Sequence, residues 1–346
     1  MMYSTSSSFS EEGEEKEQKE VRIVSSAENA TAKRIAKLRT SKTFREKEKS
    51  VVIVGSTVLR EILQAGALGA SEEKDEKKKK TIRVKSLLLA MEKKTSRDGE
   101  SYDDDSKTTT TRDELRRDIA AADIAGGEEA KKRTEYYATA KVMKKLAGVE
   151  NADGIDLVAE LEMPEIREVT EFMMQDKRSN GKSGARIEKV LCLDGVQDPG
   201  NVGTLLRTAE AFGFDAVGLG PKTCDPFNDK CVRSSKGTAF RMQMFTWKTN
   251  EEFFEGLVNG GTFELKRNVL AAMLAGENCA EVARELDDGN NSNNKVCLVL
   301  GSEGQGVSEE IASSIRAVTI PTPGVTESLN VAVAGGILMS SLTVKM

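Results

Sequence analysis

The chain contains no histidine. A histidine base, a histidine metal ligand and a serine–histidine triad are therefore excluded. Chemistry must come from carboxylate, guanidinium, amine, hydroxyl or amide groups, or from a bound reagent. Groups of that kind gather in three stretches of one form. Residues 193–213 read LDGVQDPGNVGTLLRTAEAFG and carry Asn201 and Arg207. Residues 298–307 read LVLGSEGQGV and set Glu303 among glycines. Residues 319–345 read TIPTPGVTESLNVAVAGGILMSSLTVK and carry Ser328, Leu329 and Asn330. Each stretch is an apolar strand, a glycine- or proline-rich loop and a helix start.

The first stretch invites a dinucleotide-binding reading and fails it. Its spacing is not G-x-G-x-x-G, and no carboxylate follows about 20 residues on at the end of a second strand. Taken alone, Asn201 reads as a helix cap. Arg207 lies six residues further, almost two turns on, and its planar fork suits a phosphate or ribose oxygen. The glycines around Glu303 let backbone groups approach a ligand. In the third stretch Ser328 reads as the helix N-cap. Gly335 and Gly336 each cost about 1 kcal/mol in a helix interior, which points to close packing there.

In this order the three stretches resemble the three motifs of the SpoU (TrmH-type) family of RNA ribose 2′-O-methyltransferases, in the SPOUT superfamily. Asn201 and Arg207, Glu303 between glycines, and Ser328-Leu329-Asn330 carry the resemblance. It implies an α/β fold with a C-terminal trefoil-knotted parallel sheet, preceded by a small L30e-like α/β substrate-binding domain. It implies S-adenosylmethionine as cofactor, held by Leu300, Gly301, Gly306, Ile320, Pro321 and Leu329. It makes Asn201, Arg207, Glu303, Ser328 and Asn330 the catalytic set. Arg207 is either the base toward the 2′-hydroxyl or a ligand of phosphate or alkoxide. A free guanidinium has a pKa above about 12, so the first role needs strong perturbation. The family also implies an RNA partner, rRNA or tRNA, and a homodimer. No metal is indicated.

The elements that must position these residues follow from pattern. Residues 188–346 alternate strand and helix: strands at 189–194, 216–219, 242–246, 268–273, 295–300 and 317–320, helices at 201–212, 251–259, 279–285, 308–315 and from 328. Alternation of this kind means a parallel sheet with both faces covered, and such sheets bind ligands beyond the carboxyl ends of their strands. Residues 21–163 are expected to form the RNA-binding domain, with a strand at 21–25, a basic helix at 29–39, a strand at 50–55, a helix at 56–65, a strand at 82–90, helix over 113–147 and a closing strand from 157. Between 21 and 70 ten Lys/Arg face four Glu, a local surplus of six positive charges in a chain of net charge −5. Asn29, Lys33, Lys37, Lys42 and Arg45 are the candidate RNA contacts. Residues 71–80 and 92–112 read as charged low-complexity insertions, 1–20 as a disordered acidic tail, and 164–187 as a flexible linker.

Five cysteines form no C-x-x-C pair and read as free thiols of a reducing compartment. No apolar run approaches the roughly 20 residues of a membrane span. Two other readings remain: an RNA-binding protein without catalysis, and a methyltransferase acting on a different nucleophile. The five motif residues together disfavour the first, and the basic N-terminal region disfavours the second.

Overall fold

The computed structural model describes residues 22–68, 82–91, 114–115, 117–121, 133–149, 155–179, 187–259, 263–287, 295–324 and 328–343. The expected tail at 1–20 and the insertions at 71–80 and 92–112 lie outside them.

The N-terminal unit runs β1 (Arg22–Val24), α1 (Ala30–Thr40), α2 (Lys42–Glu48), β2 (Ser50–Val54), α3 (Ser56–Leu68), β3 (Val84–Ala90), β4 (Thr134–Ala138), α4 (Ala140–Ala147) and β5 (Leu157–Glu162). Its strands form a mixed five-stranded sheet in the order β1-β4-β3-β5-β2. Asn29 caps α1 by accepting from Thr31 N at 2.8 Å, and the helix buries Ala32, Ile35 and Leu38. Beneath it the sheet encloses one carboxylate. Glu160 accepts both arms of the Arg34 fork, at 2.8 and 2.9 Å, and the Ser86 hydroxyl at 3.1 Å. Burial alone would raise its pKa; the hydrogen bonds from Arg34, Ser50 and Ser86 hold it below the usual value.

The second unit runs β6 (Arg167–Glu168), α5 (Val169–Ser179), β7 (Lys189–Asp194), α6 (Pro199–Ala211), β8 (Ala216–Leu219), α7 (Asp229–Ser234), β9 (Gln243–Thr246), α8 (Asn250–Asn259), β10 (Val269–Asn278), α9 (Cys279–Leu286), β11 (Val296–Gly301), α10 (Glu309–Ser314), β12 (Arg316–Thr319) and α11 (Val331–Thr343). Its sheet has seven strands, ordered β12-β10-β11-β7-β8-β9-β6, and every pairing among the described residues is parallel. All strands therefore end on one edge, and the three motif loops leave from it. Gly335 is the close-packing glycine: a Cβ there would lie 2.5 Å from Leu205 Cδ2 and 2.7 Å from Leu300 Cδ1. At Gly336 a Cβ would meet only Thr208 Cγ2, at 3.8 Å. No helix among the described residues is long and apolar enough to cross a membrane.

Several expectations need correction. Residues 113–147 are not one helix. Thr134-Glu-Tyr-Tyr forms β4, because adjacent tyrosines favour a pleated, half-buried surface. Residues 164–187 are not simply a linker. β6 pairs with β9, and α5 buries Val169, Phe172 and Met173 at helical spacing against Phe245 and Phe253. Arg45 is not on an RNA face. Its side chain is 5% exposed, pairs with Asp225 and donates to Leu38 O at 2.8 Å. Short helices α2 and α7 carry too few residues for their periodicity to show.

The two units are not separate bodies joined at residue 163. One apolar cluster runs from Val51, Ile53 and Ile62 of the first unit through Phe227, Phe240 and Met242 to Leu191 and Leu205 of the second. Lys236 Nζ donates to Glu61 Oε1 across the same contact at 3.1 Å. Removing one partner of a buried ion pair strands the other charge, at a cost of about 3–5 kcal/mol. Arg45→Ala should therefore lower unfolding stability in urea by about that much. A loss below about 1 kcal/mol would show that Asp225 finds water once Arg45 is gone.

Candidate active site

The site begins at the turn from β7 into α6. Asp198 is the N-cap: its Oδ1 accepts from Asn201 N at 2.9 Å, and Pro199 opens the helix. Lys230 holds the other oxygen at 2.8 Å, and that hydrogen bond lowers the Asp198 pKa. Asn201 is thus not the cap, as its sequence position suggests, and its side chain is left for other work. The Asp-Pro pair was the missed signal, since proline favours the first helical position and aspartate the one before it.

The Asn201 carboxamide joins all three motifs. Its Nδ2 donates to Glu303 Oε1 at 2.7 Å, and its Oδ1 accepts from Asn330 Nδ2 at 3.2 Å. Asn330 in turn caps α11, its Oδ1 accepting from Ala332 N at 2.9 Å and Val333 N at 3.3 Å. Asn330, rather than Ser328, is therefore the N-cap. Ser328 is exposed in the approach to α11 and makes no hydrogen bond among the described residues.

Arg207 stands apart from this chain. Six residues advance a helix by about 600°, which leaves it about 120° from Asn201 around the axis. It is exposed and has no ion-pair or hydrogen-bond partner among the described residues. Its guanidinium is open to an incoming anion.

The second loop folds back on itself. Ser302 N donates to Gly306 O at 3.0 Å and Gly306 N to Ser302 O at 2.9 Å. Gly301 is required by this closure, since a Cβ there would lie 1.9 Å from Gly306 C and 2.0 Å from Val307 N. Gly306 has φ +70° and open space beside it, as has Gly304. Leu300 and Gly301 are buried at the end of β11, while Pro321 and Leu329 are exposed and Ile320 is half-buried at the third loop. Nearby, the β10 ladder slips between Ala272 and Glu277, leaving Leu274 77% exposed, with its carbonyl accepting from Thr319 Oγ1 at 3.1 Å. Open backbone beside exposed apolar side chains fits a ligand that is part apolar and part hydrogen-bonding.

Of the expected RNA contacts, Lys33, Lys37 and Lys42 are exposed. Lys33 is 2.7 Å from Glu28, Lys37 lies 4.5 Å over the Phe44 ring, and Lys42 is 4.0 Å from Glu46. Asn29 is occupied in capping, and Arg45 is buried as described.

The edge of this parallel sheet thus brings an asparagine, a glutamate and a second asparagine from three separate segments into one cluster. Comparison with known proteins identifies the family. The family described as "SpoU rRNA Methylase family" matches residues 188–340. The chain is 33% identical over 195 residues to the 23S rRNA guanosine 2′-O-methyltransferase RlmP of Bacillus subtilis, covering 55% of this chain and 69% of that protein. An uncharacterised tRNA/rRNA methyltransferase of Synechocystis is 28% identical over 205 residues, 59% of this chain and 65% of that one. A solved rRNA methyltransferase of Sinorhizobium meliloti with AdoMet bound superposes with a TM-score of 0.63 at 22% identity, covering 93% of this chain and 97% of that one. The chain belongs to the SpoU rRNA methylase family, and it is an RNA methyltransferase.

Asn201→Ala removes two hydrogen bonds that tie the first motif to the other two. Partly exposed hydrogen bonds contribute about 0.5–1.5 kcal/mol each, so unfolding stability should fall by only about 1–3 kcal/mol. Methyl transfer should fall more than tenfold, because Glu303 and the third loop lose their common anchor. Single-turnover rates beside urea denaturation check both halves. A rate that merely tracks stability would make Asn201 structural.

Proposed function

We propose that this chain transfers the methyl group of S-adenosylmethionine to a ribose 2′-oxygen of ribosomal RNA. The observation that carries this reading is the Glu303–Asn201–Asn330 hydrogen-bond chain, which closes the three motif loops into one site. The name of the Bacillus relative, an rRNA 2′-O-methyltransferase, supports the choice of ribose and of rRNA.

Leu300, Gly301, Gly306, Ile320, Pro321 and Leu329 would hold the cofactor, whose sulfonium supplies an activated methyl group and a neutral leaving group. The chain's own residues then orient. Asn201 fixes the Glu303 carboxylate through one oxygen and leaves the second for the ribose or its neighbour. Asn330 fixes the start of α11, and Ser328 offers a hydroxyl beside it. Arg207 binds the phosphate next to the target ribose with its planar fork. The lysines of α1 and α2 add phosphate contacts and hence salt dependence.

A second copy completes the assembly. Val333 and Ile337, four residues apart on α11, are 52% and 38% exposed, although the helix otherwise packs against α6 and α9. An apolar pair on one helix face suits a self-complementary contact. Sedimentation should give a dimer, and V333E/I337E a folded monomer. A wild-type monomer at micromolar concentration would remove the dimer.

Arg207→Ala separates an enzyme from a binder. Losing one charged hydrogen bond of about 1.5–3 kcal/mol would weaken RNA affinity roughly ten- to a hundredfold and spare the saturated rate. A transition-state role predicts instead that methyl transfer collapses at saturating RNA and cofactor, with Arg207→Lys rescuing little. Single-turnover transfer of labelled methyl distinguishes them, and near-normal turnover by the alanine variant would take Arg207 out of the site.

A further inference from the structure

A second cleft lies beyond the carboxyl ends of β7, β8 and β11 and the start of α8. It encloses about 380 Å³, and its walls include Gln197, Lys222, Asn250, Gln305 and Ser308. None of these residues takes part in the Glu303–Asn201–Asn330 chain. We propose that this cleft binds a base of the substrate RNA, from a nucleotide neighbouring the one methylated. The proposal rests on the RNA methyltransferase reading and adds a specificity site to it.

Position is the first argument. The loop after β11 is a wall shared by both places: Ser302, Gln305 and Gly306 line the cleft, while Glu303 between them bonds to Asn201. The expected cofactor loops leave β11 and β12 on one side of that wall. The cleft occupies the other side, over β7 and β8. An RNA strand presenting a ribose at Asn201 and Glu303 brings its adjacent nucleotide to the wall's far side.

The lining is the second argument. Its charges are largely satisfied within the protein. Asp194 Oδ2 accepts from Ser308 N at 2.8 Å, Lys248 pairs with Glu168, and Asn250 Nδ2 donates to Glu310. A site built for phosphate would carry an excess of cations. This one carries charges of both signs, without an excess of cations, beside the neutral carboxamides of Gln197, Asn250 and Gln305. The side chains of Gln197, Gln305 and Lys222 make no hydrogen bond or ion pair among the described residues. Ser308 Oγ is shut from solvent and has no partner among them. A carboxamide presents a donor and an acceptor side by side, the pattern by which proteins read base edges. Unstacked RNA bases are recognised on such edges.

Preorganisation is the third. Lys222 sits in the left-handed region at φ 62°, which the flanking backbone enforces. Thr223 Oγ1 donates to Leu193 O at 2.7 Å and accepts from Gly195 N at 3.0 Å, and Cys224 N donates to Val196 O at 2.9 Å. The wall is fixed before a ligand arrives, so little is lost to ordering on binding. The cleft's volume also falls in the ordinary range for small-ligand sites.

The test uses the full chain saturated with S-adenosylhomocysteine, so that the cofactor site is filled. Titration with each of the four ribonucleosides, followed by NMR, should show one of them binding. Q197A/Q305A should weaken that binding at least fivefold, and Lys222→Ala, at an exposed position, should weaken it independently. In the second arm, RNA abasic at the nucleotide on either side of the target should lose at least tenfold in kcat/KM with the wild-type chain. With Q197A/Q305A the same lesion should cost less than twofold. If no ribonucleoside binds the wild type, or the folded variants bind it equally well, the base site is refuted. Failure to methylate any RNA would refute the enzyme reading, and nucleoside binding is scored separately from it.

Discussion

One carboxamide holds the site together. Asn201 donates a hydrogen bond to Glu303 and accepts one from Asn330, residues 102 and 129 positions further along the chain. An amide side chain offers a donor and an acceptor from one rigid plane without carrying charge. Aspartate at 201 would set two carboxylates against each other, and a hydrocarbon would link nothing. The sheet makes the link possible. Gly301 pairs with Asp194 at the ends of β11 and β7, so the Glu303 loop emerges beside the turn that starts α6. The third loop is brought in from β12, two strands further out, by α11, which crosses back to rest on α6 and β11. The hydrogen-size contact at Gly335 sets how closely it can lie.

The N-terminal unit is held to this core by more than a tether. Ile62 lies against Gly237, where a Cβ would be 2.6 Å from its Cγ1, and Arg45 reaches Asp225 from α2. A buried ion pair gives little net stability over a well-packed apolar contact, since both charges must be desolvated. What this one fixes is register: Arg45 also donates to two carbonyls at the end of α1, so the same guanidinium ties α1, α2 and the loop after β8. The exposed lysines of α1 thereby keep a set position relative to Lys222 on that loop. The proposed RNA contacts of the α1 lysines and the proposed base cleft would then be linked through one buried side chain.

Much of this was legible in the sequence, and the reasons are specific. The strands of the second sheet are near-continuous apolar runs bounded by glycine, proline or asparagine, as parallel strands buried on both faces must be. Residues 189–194 and 216–219 were accordingly found to the residue, whereas β10 extends to Asn278, beyond its apolar part. The three motif loops stood out because glycine is concentrated where backbones approach. Other features were hidden. Which side chain caps which helix depends on geometry at single residues, so Asp198 and Asn330 took the roles first read for Asn201 and Ser328. Arg45 reads as one more basic residue, and only tertiary packing reveals that its partner is Asp225, 180 positions away. α5 was masked by the polar residues that follow it, although Val169, Phe172 and Met173 are spaced for one buried face. The second cleft has no sequence signature, since its walls come from four separate segments.

The choice of an amide at 201 also governs the charge the site presents to RNA. An arginine or lysine could hold Glu303 as well as Asn201 does, but it would spend its charge on that carboxylate. Asn201 satisfies one Glu303 oxygen with a neutral group. Arg207, 120° around the same helix and without a protein partner among the described residues, keeps its full charge for an anion. In a chain of net charge −5 that separation matters. Long-range attraction to RNA must come from local basic groups such as the α1 and α2 lysines. On the proposed mechanism, this guanidinium, which has no partner among the described residues, would act at close range on the substrate, where screening by salt is least.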